Sequence, residues 1–136
     1  MRLAVIAILM AWCHVIDDYM LQGCLADLKQ RDWWRRMIAS TMKADLEDTM
    51  YRRDYIAALL CHGLSWSCCV HLPLLLAGLW GHPGYIACSV PAHALLHALV
   101  DHAKANARLI SLVEDRLLHV LQLSAILVGY RLLTSL

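Results

Sequence analysis

The stretch Tyr55–Trp80, YIAALLCHGLSWSCCVHLPLLLAGLW, contains no Asp, Glu, Lys or Arg and decides the class of fold. A helix needs roughly 20 mainly apolar residues to cross the hydrocarbon core of a bilayer, and this stretch is long enough. Three further apolar stretches of similar length lie at about Leu3–Leu25, Tyr85–Ala107 and Ile110–Leu133. We therefore predict an all-α fold, a polytopic membrane four-helix bundle.

The composition agrees with that class. The chain has 136 residues, enough for one domain, so residues 1–136 are expected to form a single membrane domain. It is 60% hydrophobic and only 17% charged, whereas about a quarter of the residues are charged in an ordinary soluble domain. The formal net charge of +1 implies no basic surface, so nucleic acid is not an expected partner.

The cysteines do not look like a disulfide or zinc framework. All six lie in apolar stretches without the C-x-x-C spacing of zinc sites. We interpret them as small buried hydrophobic residues within helices. They are Cys13, Cys24, Cys61, Cys68, Cys69 and Cys88.

Short connections join the last three spans. The tetrapeptide Gly81-His82-Pro83-Gly84 predicts a tight turn, and the break around Ala105–Leu109 is also short. Short connections make antiparallel neighbours, so the spans are expected to run up and down. The first stretch has only Met1-Arg2 as a positive end and no A-x-A site after it. An uncleaved first helix is therefore favoured over the alternative, a secretory signal peptide.

Residues 26–54 form a charged segment between the first and second spans. Trp33 and Trp34 fit the aromatic belt of a membrane surface. Apolar residues recur at every fourth position, a helical stripe, at Ile38, Met42, Leu46 and Met50. We predict one or two amphipathic helices on the interface, and a solvated hairpin without lipid contact is the alternative.

The distribution of Lys and Arg predicts the orientation. Residues 26–54 contain seven of them, and the connection between the third and fourth spans contains Lys104 and Arg108. The Gly81–Gly84 turn contains none. Both basic connections fall on one side of a four-helix topology, and basic connections are cytoplasmic as a rule. We therefore expect a multi-pass protein of the cell inner (cytoplasmic) membrane with both termini outside.

Ionisable residues inside the spans recur four positions apart, which places each pair on one helix face. The pairs are His14 with Asp18, His97 with Asp101, and Asp115 with His119, and the second span adds His62. Counted inward from the cytoplasmic ends, these residues form one layer roughly 8–16 Å below the surface. Such residues are costly inside a bilayer and usually functional.

A divalent metal ion would explain this layer. Three carboxylates packed together in low dielectric repel one another, and a bound cation removes that conflict. Mixed His/Asp ligation fits zinc, manganese or iron. The predicted ligands are His14, Asp18, His62, His97, Asp101, Asp115 and His119. Two alternatives stay open, namely interhelical hydrogen bonds that hold the bundle together and a path for protons or ions.

Four motifs, in this order, cover nearly the whole chain: His14-x-x-x-Asp18-Tyr19-x-Leu21-Gln22, His62-Gly63, His97-x-x-x-Asp101-x-x-Lys104 and Asp115-x-x-x-His119. In them the chain resembles the small bacterial and phage membrane proteins grouped as domain of unknown function 3307. Arg116 stands where that family often has Gln. The resemblance implies that these positions form the family's site, and it transfers no activity. The pattern is also similar to that of membrane-bound metal-dependent hydrolases.

Three functions compete at this stage. In the first, a metal-dependent hydrolase cleaves an ester or phosphoester of a lipid-like substrate. Asp18, Asp101 and Asp115 supply ligands and a general base, and Lys104 holds an anionic head group. The second is a transporter of metal ions or protons. The outer half of the spans has few polar residues, which argues against a path through one chain, and a homo-oligomer would supply a path. The third is a phage accessory protein that acts on host membrane or defence proteins. The lipid bilayer is the expected partner in each case.

Overall fold

Four long helices dominate the fold. A computed structural model describes residues 2–78, 80 and 82–134. In chain order the elements are α1 (Arg2–Ile16), a π-helical turn (Asp17–Leu21), α2 (Leu25–Leu28), α3 (Arg31–Thr41), 3₁₀ turns at Leu46–Asp48 and Met50–Arg53, α4 (Asp54–Leu76), α5 (Pro83–Ala105) and α6 (Leu112–Thr134). No strand occurs among the described residues, so the all-α prediction is confirmed.

Four helical stretches are long and apolar enough to cross a membrane, as the sequence predicted. They are Leu3–Leu21, Met50–Leu76, Pro83–Ala105 and Leu112–Thr134. The first two end before the predicted limits of Leu25 and Trp80. Large apolar side chains are exposed on all four.

Local sequence explains where the helices begin and end. Gly78, with a φ of 112°, follows the last turn of α4, where a side chain would be strained. Pro83 opens α5, because a proline fits the first turn of a helix. Pro83 and Gly84 are therefore helical and not part of a tight turn, while Gly81 lies outside the described residues.

A capping box starts α6. The Ser111 backbone N–H donates to Glu114 Oε2 at 2.7 Å, and the Glu114 N–H donates to Ser111 Oγ at 3.3 Å. These two bonds satisfy backbone donors that have no partner within the helix. Glu114, which lies within the predicted fourth span, is consequently an exposed cap and not a buried acid.

The apolar core occupies the half of the bundle away from α2 and α3. It consists of Ile6, Met10, Trp66, Val70, Leu74, Ile126 and Tyr130, each at most 7% exposed. Helices α4 and α5 approach closely at Gly63, where an added Cβ would meet the carbonyl oxygen of Ala94. Small residues allow such close approach in helix pairs.

The segment between the first and second spans is helical in part. Its predicted apolar stripe is not one continuous face, because α3 ends at Thr41. Ile38 and Leu46 are buried, whereas Met42 and Met50 are 53% and 82% exposed. The prediction of amphipathic helical structure is thus correct for α3, which has one charged face and one apolar face.

The prediction of buried cysteines is wrong. Cys24, Cys61, Cys68 and Cys88 are exposed, and Cys13 and Cys69 are half-buried. All six are free thiols. Helices that are apolar on every side give no periodic signal to separate inner from outer faces, so burial could not be read from their surroundings.

Candidate metal centre

A buried polar layer lies at the end of the bundle next to α2. Each of the four long helical stretches contributes to it, because the spacing of four residues directs paired side chains to one face. All seven predicted ligands belong to this layer and are at most 7% exposed: His14, Asp18, His62, His97, Asp101, Asp115 and His119. Asp17 and Gln122 are buried with them, at 1% and 4%.

Two groups of three side chains in this layer have ligand atoms close enough to hold an ion. One group is Asp18, His62 and His97, and the other is His97, Asp101 and His119. His62 Nε2 lies 3.2 Å from His97 Nε2 and 3.5 Å from Asp18 Oδ1. Ligands bound at about 2.0–2.1 Å to a tetrahedral ion lie about 3.3 Å apart. The spacing therefore fits a first coordination shell.

His97 limits the number of ions. His97 belongs to both groups, and its Nε2 lies 3.7 Å from Asp18 Oδ1 and 3.9 Å from Asp101 Oδ2. A neutral imidazole nitrogen has one lone pair and can coordinate one ion. The two groups therefore cannot both bind an ion through His97 Nε2.

His14 lies beside these groups, and the side chain of Trp66 holds its imidazole in place. Trp66 Nε1 donates a hydrogen bond to His14 Nδ1 at 2.7 Å. The same indole stacks on the His97 ring, with centroids 4.3 Å apart and an interplanar angle of 19°. Trp66 thus separates the polar layer from the apolar core and fixes the orientation of two imidazoles.

Each of three buried carboxylates has one oxygen paired with a basic side chain. The contacts are Arg116 with Asp18 Oδ2 at 2.5 Å, Lys29 with Asp101 Oδ2 at 2.6 Å, and Lys104 with Asp115 Oδ2 at 2.9 Å. The second oxygen of each carboxylate lies 3.4–3.7 Å from a histidine Nε2. The repulsion invoked for a divalent ion is therefore already reduced by these cations. The metal hypothesis depends on ligand geometry instead.

Sequence reasoning assigned no role to Lys29 or to Arg116. Lys29 reaches Asp101 from a segment in which seven basic residues look alike, so no sequence signal distinguishes it. Arg116 follows Asp115 directly, and its Nη2 also lies 2.9 Å from Asp115 Oδ2. The sequence signal that could have identified Arg116 as part of the site is its position inside a predicted span, directly after a motif Asp.

A cavity of about 500 Å³ opens onto the polar layer from the end that contains α2. Asp18 and Asp101 are in its lining, together with the basic residues Lys29, Lys104 and Arg116. The Lys104 and Arg116 side chains are 31% and 30% exposed. The cavity thus brings metal-type ligands together with three basic side chains, each of which is paired with a buried carboxylate.

A second polar cluster lies further along α4 and α5. His71 Nε2 is 2.9 Å from Ser89 Oγ, and His71 Nδ1 is 2.7 Å from the carbonyl oxygen of Ser67. The half of the bundle away from α2 is thus more polar than the sequence suggested. These groups satisfy one another, and Leu74, about one turn beyond His71, belongs to the apolar core.

Comparison of the chain with protein-family models, with curated proteins and with solved structures finds no match. The resemblance to the family of domain of unknown function 3307 therefore stays a prediction.

Proposed function

We propose that this chain is a multi-pass membrane protein that binds one divalent metal ion and hydrolyses an ester or phosphoester of an anionic, lipid-like substrate. One observation carries the proposal. The cavity that reaches Asp18 and Asp101, each a member of a metal-type group, is also lined by Lys29, Lys104 and Arg116. Metal ligands and basic side chains in one cavity are a combination suited to the hydrolysis of a charged ester.

The exposed apolar surface supports the membrane location. Ile8, Leu64 and Leu121 are 67%, 51% and 64% exposed on three of the four long helices. A surface patch of this kind is unusual for a soluble monomer, and it matches the lipid-facing side of a bundle. Basic residues at the end with α2 favour a cytoplasmic site, with both termini outside.

Each residue of the cavity has a chemical task in this proposal. Asp18, His62 and His97 would hold the ion, which would supply Lewis acidity. Asp101 stays on the cavity wall, accepts a proton from the attacking water and returns it to the leaving alkoxide as the ester bond breaks. Lys104 and Arg116 bind the anionic group of the substrate at the cytoplasmic end.

The apolar core favours an enzyme over a transporter. Val70, Leu74 and Ile126 are completely buried in the outer half of the bundle. They have no polar atoms to replace the hydration shell of a cation, so a path through them would need a large rearrangement. The transporter and the phage accessory protein stay predictions, as does a homo-oligomer.

Reconstitution tests the proposal. Purified protein in phosphatidylcholine vesicles containing phosphatidic acid is expected to release inorganic phosphate only with a divalent metal present. Asp101→Asn should abolish release, while Asp27→Asn, an exposed acid of α2, should not. The same vesicles loaded with a metal-sensitive or pH-sensitive dye report transport. Dye response that depends on Asp18, without phosphate release, would replace the hydrolase with a transporter.

A further inference from the structure

Two consecutive carboxylates point into the protein at the end of the first span. Asp17 and Asp18 are 1% and 4% exposed. Neighbours in an α-helix are separated by about 100° around the axis, so one of two consecutive side chains normally faces outward. Here the backbone forms a π-helical turn, in which the Gln22 N–H donates to the Asp17 carbonyl oxygen at 3.2 Å. Single π turns are frequent at functional sites.

His62 lies between these two carboxylates. Its Nδ1 is 3.5 Å from Asp17 Oδ2, and its Nε2 is 3.5 Å from Asp18 Oδ1. Ser65, less than one turn further along α4, donates its hydroxyl to Asp17 Oδ1 at 2.7 Å. The Asp17 carboxylate is thus held by the same helix that carries His62.

Asp17 differs from the other buried acids in its partners. Asp18, Asp101 and Asp115 each contact a Lys or Arg, but no basic side chain in the described part of the chain contacts Asp17. Its side-chain contacts are the Ser65 hydroxyl and His62 Nδ1. Histidine ligands of metals commonly donate their second ring N–H to a carboxylate, which fixes the tautomer and makes the ligand more basic.

We propose that Asp17 is a positioning residue that orients His62, and that the metal ion lies in the group Asp18, His62 and His97. The inference rests on the proposed metal site and says where in it the ion lies. In the alternative group, the second nitrogen of His119 faces a neutral amide, since His119 Nδ1 is 3.4 Å from Gln122 Oε1. A carboxylate partner strengthens a ligand more than an amide does.

Cobalt titration of metal-free protein in detergent tests this assignment, since the visible absorption of bound Co²⁺ reports affinity and coordination geometry. Asp17→Asn keeps the size and a hydrogen-bond acceptor but removes the charge. We expect its Kd for Co²⁺ to rise about 10–100-fold at an unchanged stoichiometry. Ser65→Ala, a milder change, should weaken binding in the same direction, and the exposed control Asp27→Asn should not.

The outcomes separate this inference from the proposed function. A wild-type protein that binds no metal overturns the metal site itself. Tight wild-type binding that Asp17→Asn leaves unaltered overturns only the role of Asp17, and a loss of thermal stability in the metal-free variant with unaltered Kd shows a purely structural residue. Unaltered Co²⁺ absorption in His62→Ala would place the ion in the other group.

Discussion

Replacing Arg116 with Gln tests how the buried carboxylates are stabilised. Arg116 lies 2.5 Å from Asp18 Oδ2 and 2.9 Å from Asp115 Oδ2, and its side chain is 30% exposed. Removing one partner of a fully buried ion pair costs about 3–5 kcal/mol. Because Asp115 keeps Lys104 and the guanidinium is partly exposed, we expect a smaller loss of unfolding free energy, about 2 kcal/mol.

A divalent metal should recover much of this loss. Asp18 Oδ1 is a predicted ligand atom, so a bound ion supplies the positive charge that the variant lacks. An ion at about 100 times its Kd adds roughly 2.7 kcal/mol to the stability of a protein. The metal-induced rise in unfolding temperature should therefore be at least as large in Arg116→Gln as in the wild type.

Thermal unfolding in detergent, with and without metal, measures both effects. Arg35→Gln is the matched control, because Arg35 is 52% exposed in its pair with Asp32, and such surface pairs contribute at most about 1 kcal/mol. If Arg116→Gln unfolds like Arg35→Gln, the buried pair is not stabilising. If metal stabilises neither the wild type nor Arg116→Gln, the metal explanation fails.

Three further predictions address packing, orientation and substrate binding. Gly63→Ala should cost about 1–3 kcal/mol in unfolding assays because its Cβ meets the Ala94 carbonyl, whereas Gly84→Ala, which faces open space, should cost nothing measurable. In a cysteine-free variant, an impermeant thiol reagent applied to whole cells should label a cysteine at position 84 and not one at Ser40; the opposite result reverses the topology. Lys104→Ala should raise KM for phosphatidic acid more than it lowers kcat, and an unaltered KM would remove Lys104 from substrate binding.

The long helices could be predicted because their signal is local. The length of an apolar stretch and the absence of charge define Met50–Leu76 without any knowledge of its neighbours. Spacing of four residues likewise predicted that His97 and Asp101 share a face. The ends of the first two spans were less accurate, because apolar residues continue past the point where Gly23 and Gly78 adopt positive φ.

The details of the candidate site depend on contacts that are distant in sequence. Lys29 and Asp101 are 72 residues apart, and their contact follows from how α2 lies over the bundle. The π-helical turn could not be predicted either, since Asp17 and Asp18 read as one inward and one outward residue in a regular helix. It is this turn that places Asp17 beside His62.

Metal content of the purified protein tests the central claim most directly. His97 belongs to both ligand groups, so its loss disrupts either position of the ion. Elemental analysis should find about one zinc, manganese or iron ion per wild-type chain and almost none in a folded His97→Ala variant. A wild-type protein without metal, or the same metal content in both proteins, would contradict the account.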